Sequence, residues 1–132
     1  MQGNQDKSPG NTQVTTKTIL LVEDDVAIAE LLVQLIAQET PYRIFMVSDG
    51  PQALNIVKGI KPDLLLLDYW LPSIFGIELY DRLCAAQGVT QIPTIMLSVN
   101  APLQEIRKRN LTYIKKPFDV FKLLDKIHAR LV

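Results

Sequence analysis

The chain has 132 residues, with 14 basic and 14 acidic side chains, a formal net charge of zero, 48% hydrophobic and 21% charged residues. That is the size and composition of one globular domain with its own core, and a neutral chain has no overall field to draw in nucleic acid or an anionic membrane, so neither is expected as a partner. A single cysteine, Cys84, excludes an internal disulfide and fits a reducing, cytoplasmic setting.

Residues 1–16 are polar and lack the apolar stretch of a signal peptide, which predicts a flexible tail ahead of a folded domain over 17–132. No run approaches the roughly 18 apolar residues of a membrane span. From Lys17 onward, short apolar runs alternate with longer segments of helical period, the pattern of a parallel sheet wound with helices. The first strand is predicted at 18–23 and ends in Glu23-Asp24-Asp25. The next segment is a helix with Val26, Ile28, Leu31, Leu32, Leu35 and Ile36 as its apolar stripe, and Asp25 suits either its N-cap or the acidic site. The second strand is predicted at 43–48, and Asp49-Gly50-Pro51 opens a helix carrying Ala53, Leu54 and Val57 that stops near Gly59.

The third strand, 63–68, runs from Asp63 through four leucines to Asp68, and a loop through Trp70 and Pro72 leads to a helix from Gly76 with Ile77, Leu79, Tyr80 and Leu83 inside. Cys84 continues that spacing as an inert core thiol. The fourth strand, 94–98, ends in Ser98; Pro102 restricts the fourth helix to a short one on Leu103 and Ile106. The fifth strand, 112–115, precedes Lys116-Pro117, and a last helix capped by Asp119 is predicted to bury Phe121, Leu124, Ile127 and Leu131. Unbroken apolar character in the first, third and fourth strands predicts burial on both faces. His128 has no second His or Cys to make a zinc site and is expected at the edge of the core.

Ligands of an open α/β sheet bind beyond the carboxyl ends of the strands. Glu23, Asp24, Asp68, Ser98 and Lys116 all stand at such ends. Crowded carboxylates are costly unless a cation offsets them, and a carboxylate nucleophile flanked by acids, a hydroxyl and a lysine suits phosphoryl transfer supported by Mg²⁺.

Ile-Leu-Leu-Val-Glu-Asp-Asp, Leu-Leu-Leu-Leu-Asp-Tyr-Trp-Leu-Pro, Ile-Met-Leu-Ser and Tyr-Ile-Lys-Lys-Pro-Phe stand in this order, and with them residues 17–132 resemble a response-regulator receiver domain of two-component signalling. The resemblance implies a flavodoxin-like, doubly wound sheet of five parallel strands in order 2-1-3-4-5. It implies Asp68 as phosphoacceptor, with Mg²⁺ on Glu23, Asp24, Asp68 and the backbone carbonyl of Trp70. It also implies that Ser98 and Lys116 contact the phosphoryl group, that Tyr113 is the aromatic switch, and that the bond before Pro117 is cis.

By the same resemblance, the donor is a sensor histidine kinase or histidine phosphotransfer domain, the output is an unidentified protein effector, and the module is a regulatory phosphoacceptor rather than an enzyme, with at most self-phosphotransfer and autodephosphorylation. A degenerate receiver that serves as a phosphorylation-independent docking module is the alternative. An aspartyl phosphohydrolase would need a second carboxylate near position 70, which is Trp70. The chain departs from the family pattern at Val99, expected to narrow access to Asp68, at Phe75 where an acid is usual, at Arg109-Asn110-Leu111, and in its short fourth helix.

Overall fold

The alternating apolar runs and helical periods build β1 (Thr18–Val22), α1 (Val26–Glu39), β2 (Arg43–Val47), α2 (Gly50–Ile60), β3 (Leu64–Asp68), α3 (Gly76–Gln87), β4 (Thr94–Ser98), α4 (Leu103–Lys108), β5 (Thr112–Lys115) and α5 (Val120–Leu131). This is a computed structural model that describes residues 16–132. All of the predicted tail except Thr16 lies outside the described residues. The strands pair in parallel in the order β2-β1-β3-β4-β5, the expected doubly wound arrangement.

Every residue of β1, β3 and β4 is buried, because these strands occupy the middle of the sheet and helices cover both faces. Alternation along the strands then separates two core layers. Leu20, Val22, Leu65, Leu67 and Met96 face Ala53 and Val57 of α2, Leu79 and Leu83 of α3 and Ile106 of α4. Ile19, Leu21, Leu64, Leu66, Ile95 and Leu97 face Ala29, Leu32 and Ile36 of α1 and Leu123, Ile127 and Leu131 of α5. Cys84 is buried in the first layer as expected, and burial pushes its thiol up, away from the reactive thiolate. His128 is half-buried, its Nδ1 2.9 Å from the Tyr42 hydroxyl.

Four predicted core positions are corrected, one of them Leu103 of α4, which is 45% exposed while its stripe partner Ile106 is buried. Val26 and Leu31 are 64% and 52% exposed, and Ala29 takes their place inside. At roughly 100° per residue, Leu31 points well away from the line joining Ala29, Leu32 and Ile36. Phe121 is 71% exposed, whereas Leu123 is fully buried. Phe121 lies roughly 100° from the centre of the stripe formed by Leu123, Leu124, Ile127 and Leu131.

Local capping agrees with the sequence. Asp25 accepts hydrogen bonds from the Ala27 and Ile28 N–H groups, Asp49 from Gln52, and Asp119 from Phe121 and Lys122. Short α4 has no side-chain cap and is tied down from its far end. Arg109 there donates from Nε and Nη2 to the two carboxylate oxygens of Asp81 on α3, both at 2.8 Å, and from Nη1 to Glu105 at 2.9 Å. The Arg109 bond holds the Asp81 carboxyl below its ordinary value of 3.8. A depressed acid contributes stability above its unfolded value, and that contribution is lost as pH falls through the folded value. Arg109→Ala is therefore expected to cost about 0.5–1 kcal/mol at neutral pH, modest because Asp81 is half exposed. The gap from wild type in urea melts should shrink below about pH 3.8.

Candidate functional site

Strand register assembles the site. Val22 of β1 pairs with Leu67 of β3, so Glu23 and Asp68, each one residue further on, stand side by side at the carboxyl edge. Asp68 pairs with Leu97 of β4, and Ser98 pairs with Lys115 of β5, which brings Ser98 and Lys116 to the same edge.

Oxygens of Glu23, Asp24 and Asp68 lie within 4.8 Å of one another. Glu23 and Asp68 are buried, at 2% and 8% exposure, whereas Asp24 is exposed. Lys116 bridges the buried pair, its Nζ 2.6 Å from Glu23 Oε1 and 3.2 Å from Asp68 Oδ2. The remaining oxygens are also engaged: Glu23 Oε2 accepts the Asp25 N–H at 3.2 Å, and Asp68 Oδ1 accepts the Trp70 N–H at 3.0 Å. Asp25 itself is committed to the α1 cap.

Burial pushes the Glu23 carboxyl up; the bonds from Lys116 and the Asp25 N–H oppose this, and the nearby Asp68 charge adds to it. For Lys116, burial works downward, but the Glu23 hydrogen bond and the charges of Glu23 and Asp68 outweigh it, so the ammonium is held above its ordinary value. Three carboxylates against one ammonium leave a formal charge of −2, which a divalent cation would offset. A set of hard oxygen donors, two buried and one open to water, fits Mg²⁺, which prefers a few carboxylates and keeps several waters.

The Ser98 side chain is fully buried, and its hydroxyl donates to the Asn100 carbonyl at 2.8 Å rather than to Asp68. The Tyr113 hydroxyl donates to the Ser98 carbonyl at 3.0 Å, and burial pushes the phenol up. The Lys116-Pro117 bond is cis, as expected. Val99 is 58% exposed.

Glycine is required at position 76. A Cβ there would stand 2.7 Å from the Asp68 carbonyl, 2.8 Å from Tyr69 Cα and 2.9 Å from Met96 Sδ. The Gly76 N–H donates to the Tyr69 carbonyl at 2.7 Å, drawing α3 tightly under the loop after Asp68. Because two of the three clashing atoms are backbone, Gly76→Ala is expected to destabilise by about 1–3 kcal/mol in urea melts and to shift the amide resonances of 68–70.

Sequence reasoning missed Asn100 and the aromatic neighbours of Trp70. Tyr69 and Phe75 stack at 5.2 Å between ring centroids, and Trp70 meets them edge-on at 4.9 and 5.5 Å. The departure at Phe75 was the available signal, since it put a third aromatic residue in the segment after Asp68. Asn100 carried none, because its part in the site depends on where two loops meet.

The model of the family "Response regulator receiver domain" matches residues 19–128. Over 117 residues, 86% of this chain, it is 35% identical to the DNA-binding response regulator MtrA of Mycolicibacterium paratuberculosis, covering 50% of that protein. It is 34% identical to the phosphate regulon transcriptional regulatory protein PhoB of Pseudomonas aeruginosa, over 86% of this chain and 51% of PhoB. The chain thus spans about half the length of these curated relatives. Among solved structures, a CheY-like receiver domain protein from Methanospirillum hungatei superposes with a TM-score of 0.79 at 27% identity, covering 89% of this chain and 94% of that one.

Proposed function

Since the chain belongs to the response regulator receiver domain family, we propose that it is a phosphorylation-controlled switch in which Asp68 accepts a phosphoryl group. The observation that carries this reading is the Lys116 ammonium bonded to both Glu23 and Asp68 beside a third carboxylate.

Glu23, Asp24 and Asp68, with the backbone carbonyl of Trp70, would hold Mg²⁺. When bound, that ion supplies charge neutralisation for the transferred phosphoryl oxygens. An Asp68 carboxylate oxygen attacks phosphorus, a P–O bond forms, and the bond from phosphorus to the donor breaks. Lys116 stays protonated and balances charge on the group. The Ser98 hydroxyl leaves Asn100 for a phosphoryl oxygen, and Tyr113, bonded to the Ser98 carbonyl, feels that movement. The modification adds roughly −1.5 to −2 charge and biases a two-state equilibrium.

A histidine kinase or histidine phosphotransfer domain is the proposed donor, and a protein effector reads the switched surface. The family is regulatory rather than catalytic. The DNA binding named for MtrA belongs to a protein about twice the length of the matched region, and we assign no nucleic-acid contact to residues 16–132. Among the described residues no helix is long and apolar enough to cross a membrane.

With acetyl phosphate and Mg²⁺, the protein is expected to gain one phosphoryl mass, assigned by peptide mass spectrometry to Asp68 and abolished by chelation. No mass gain, or modification at another residue, would sink the reading. Normal partner binding without any modification would instead favour a docking module.

A further inference from the structure

Two loops at the acidic edge are joined through one residue. The Trp70 indole N–H donates to the Asn100 carbonyl at 3.0 Å and to Asn100 Oδ1 at 3.1 Å. The same carbonyl accepts the Ser98 hydroxyl at 2.8 Å. At its other end, Trp70 gives its peptide N–H to Asp68 Oδ1. One residue therefore touches both the Asp68 carboxylate and the loop that holds the Ser98 hydroxyl.

Core packing does not fix this ring, because Trp70 is 51% exposed. Its placement comes from the edge-on contacts with Tyr69 and Phe75 and from the antiparallel bridge between Trp70 and Phe75. Rigid aromatic neighbours lower the ordering cost of a hydrogen bond, and an indole N–H can only donate, so the Asn100 oxygens satisfy it well. A serine hydroxyl has one proton to give. While that proton rests on the Asn100 carbonyl, it is not available to an oxygen on Asp68.

We propose that Trp70 is a positioning residue, a latch whose indole pins the Asn100 carbonyl so that it retains the Ser98 hydroxyl and favours the resting state. This rests on the reading of Asp68 as phosphoryl acceptor. With the pin removed, the Asn100 carbonyl can turn to water, and the hydroxyl is released at lower cost.

The test uses Trp70→Phe, which keeps an aromatic ring and the backbone but removes the donor. Two measurements are needed. In the unliganded wild type, the indole N–H should exchange with solvent at least about fivefold more slowly than that of N-acetyltryptophanamide, as one retained hydrogen bond implies. For beryllofluoride with Mg²⁺, a phosphoryl mimic that adds to a carboxylate oxygen, Trp70→Phe should lower the apparent Kd about fivefold. The same substitution should have no effect in a Ser98→Ala background. An indole that exchanges freely, equal or weaker binding by Trp70→Phe, or an equal gain without Ser98 would each overturn the latch. If the wild type fails to bind beryllofluoride, the acceptor reading falls and the latch falls with it, whereas failure of the latch alone leaves wild-type binding intact.

Discussion

Lys116→Ala is expected to lower stability by about 3–5 kcal/mol at neutral pH, measured by urea or guanidinium denaturation. The lysine is the cation shared by Glu23 and Asp68, whose side chains are only 1% and 10% exposed. Its removal leaves two buried carboxylates and the nearby Asp24 without a counter-charge, and an unpaired buried charge is far more costly than the pair itself is worth. Acidification should repair part of this loss. Glu23 already has a raised carboxyl, and removing the Lys116 bond that opposes the rise leaves it higher still. A raised acid favours the folded state below its unfolded value, here near 4.5, and that contribution is lost as pH rises through the folded value. The deficit of Lys116→Ala should therefore narrow as pH falls toward about 4.5 and widen above it. In the wild type, raised Lys116 contributes stability that is complete below its ordinary value of 10.5 and is lost as pH rises through the folded value. Lys116→Met, which keeps the hydrocarbon stem, should be equally destabilised at neutral pH if charge rather than packing is responsible.

Asp68→Asn is expected to abolish phosphoryl incorporation from acetyl phosphate and Mg²⁺ while changing stability by no more than about 1 kcal/mol. The amide has no anionic oxygen with which to attack phosphorus. Its carbonyl oxygen can still accept the Trp70 N–H, and Lys116 keeps its shorter bond to Glu23. Because the variant is expected to fold, intact-mass measurement separates loss of the acceptor from loss of structure. Phosphoryl incorporation into Asp68→Asn equal to wild type would sink the assignment of Asp68. The two substitutions should thus have opposite profiles: Lys116→Ala damages the fold, and Asp68→Asn removes chemistry from an intact one.

Much of this edge was legible in the chain. Apolar runs that stop at Glu23, Asp68 and Ser98 announce strand ends, and continuous burial of β1, β3 and β4 comes from their lack of alternation. Asp119 reads as a helix cap and is one, Asp49 caps the helix that Asp49-Gly50-Pro51 was read to open, and Asp25, which suited either a cap or the acidic site, is a cap. The apolar stripes were less legible at their margins. Val26, Leu31 and Phe121 are hydrophobic in type but lie outside the buried arc, because helix rotation is set by the sheet beneath and not by the residues counted.

Local pattern alone determined which segments are strands, where their carboxylates fall, and that five strands alternate with five helices, because these depend on neighbours two to four residues apart. Tertiary structure decided the rest. Register between β1 and β3 placed Glu23 beside Asp68, and the cross-sheet reach of Lys116, 93 residues from Glu23, made them a buried pair. The same packing left Asp24 exposed and turned the Ser98 hydroxyl to Asn100. It also seated Trp70 among aromatics that have no helical or strand period in common. Distances between loops are set by strand register and helix packing, which no periodicity along the chain encodes.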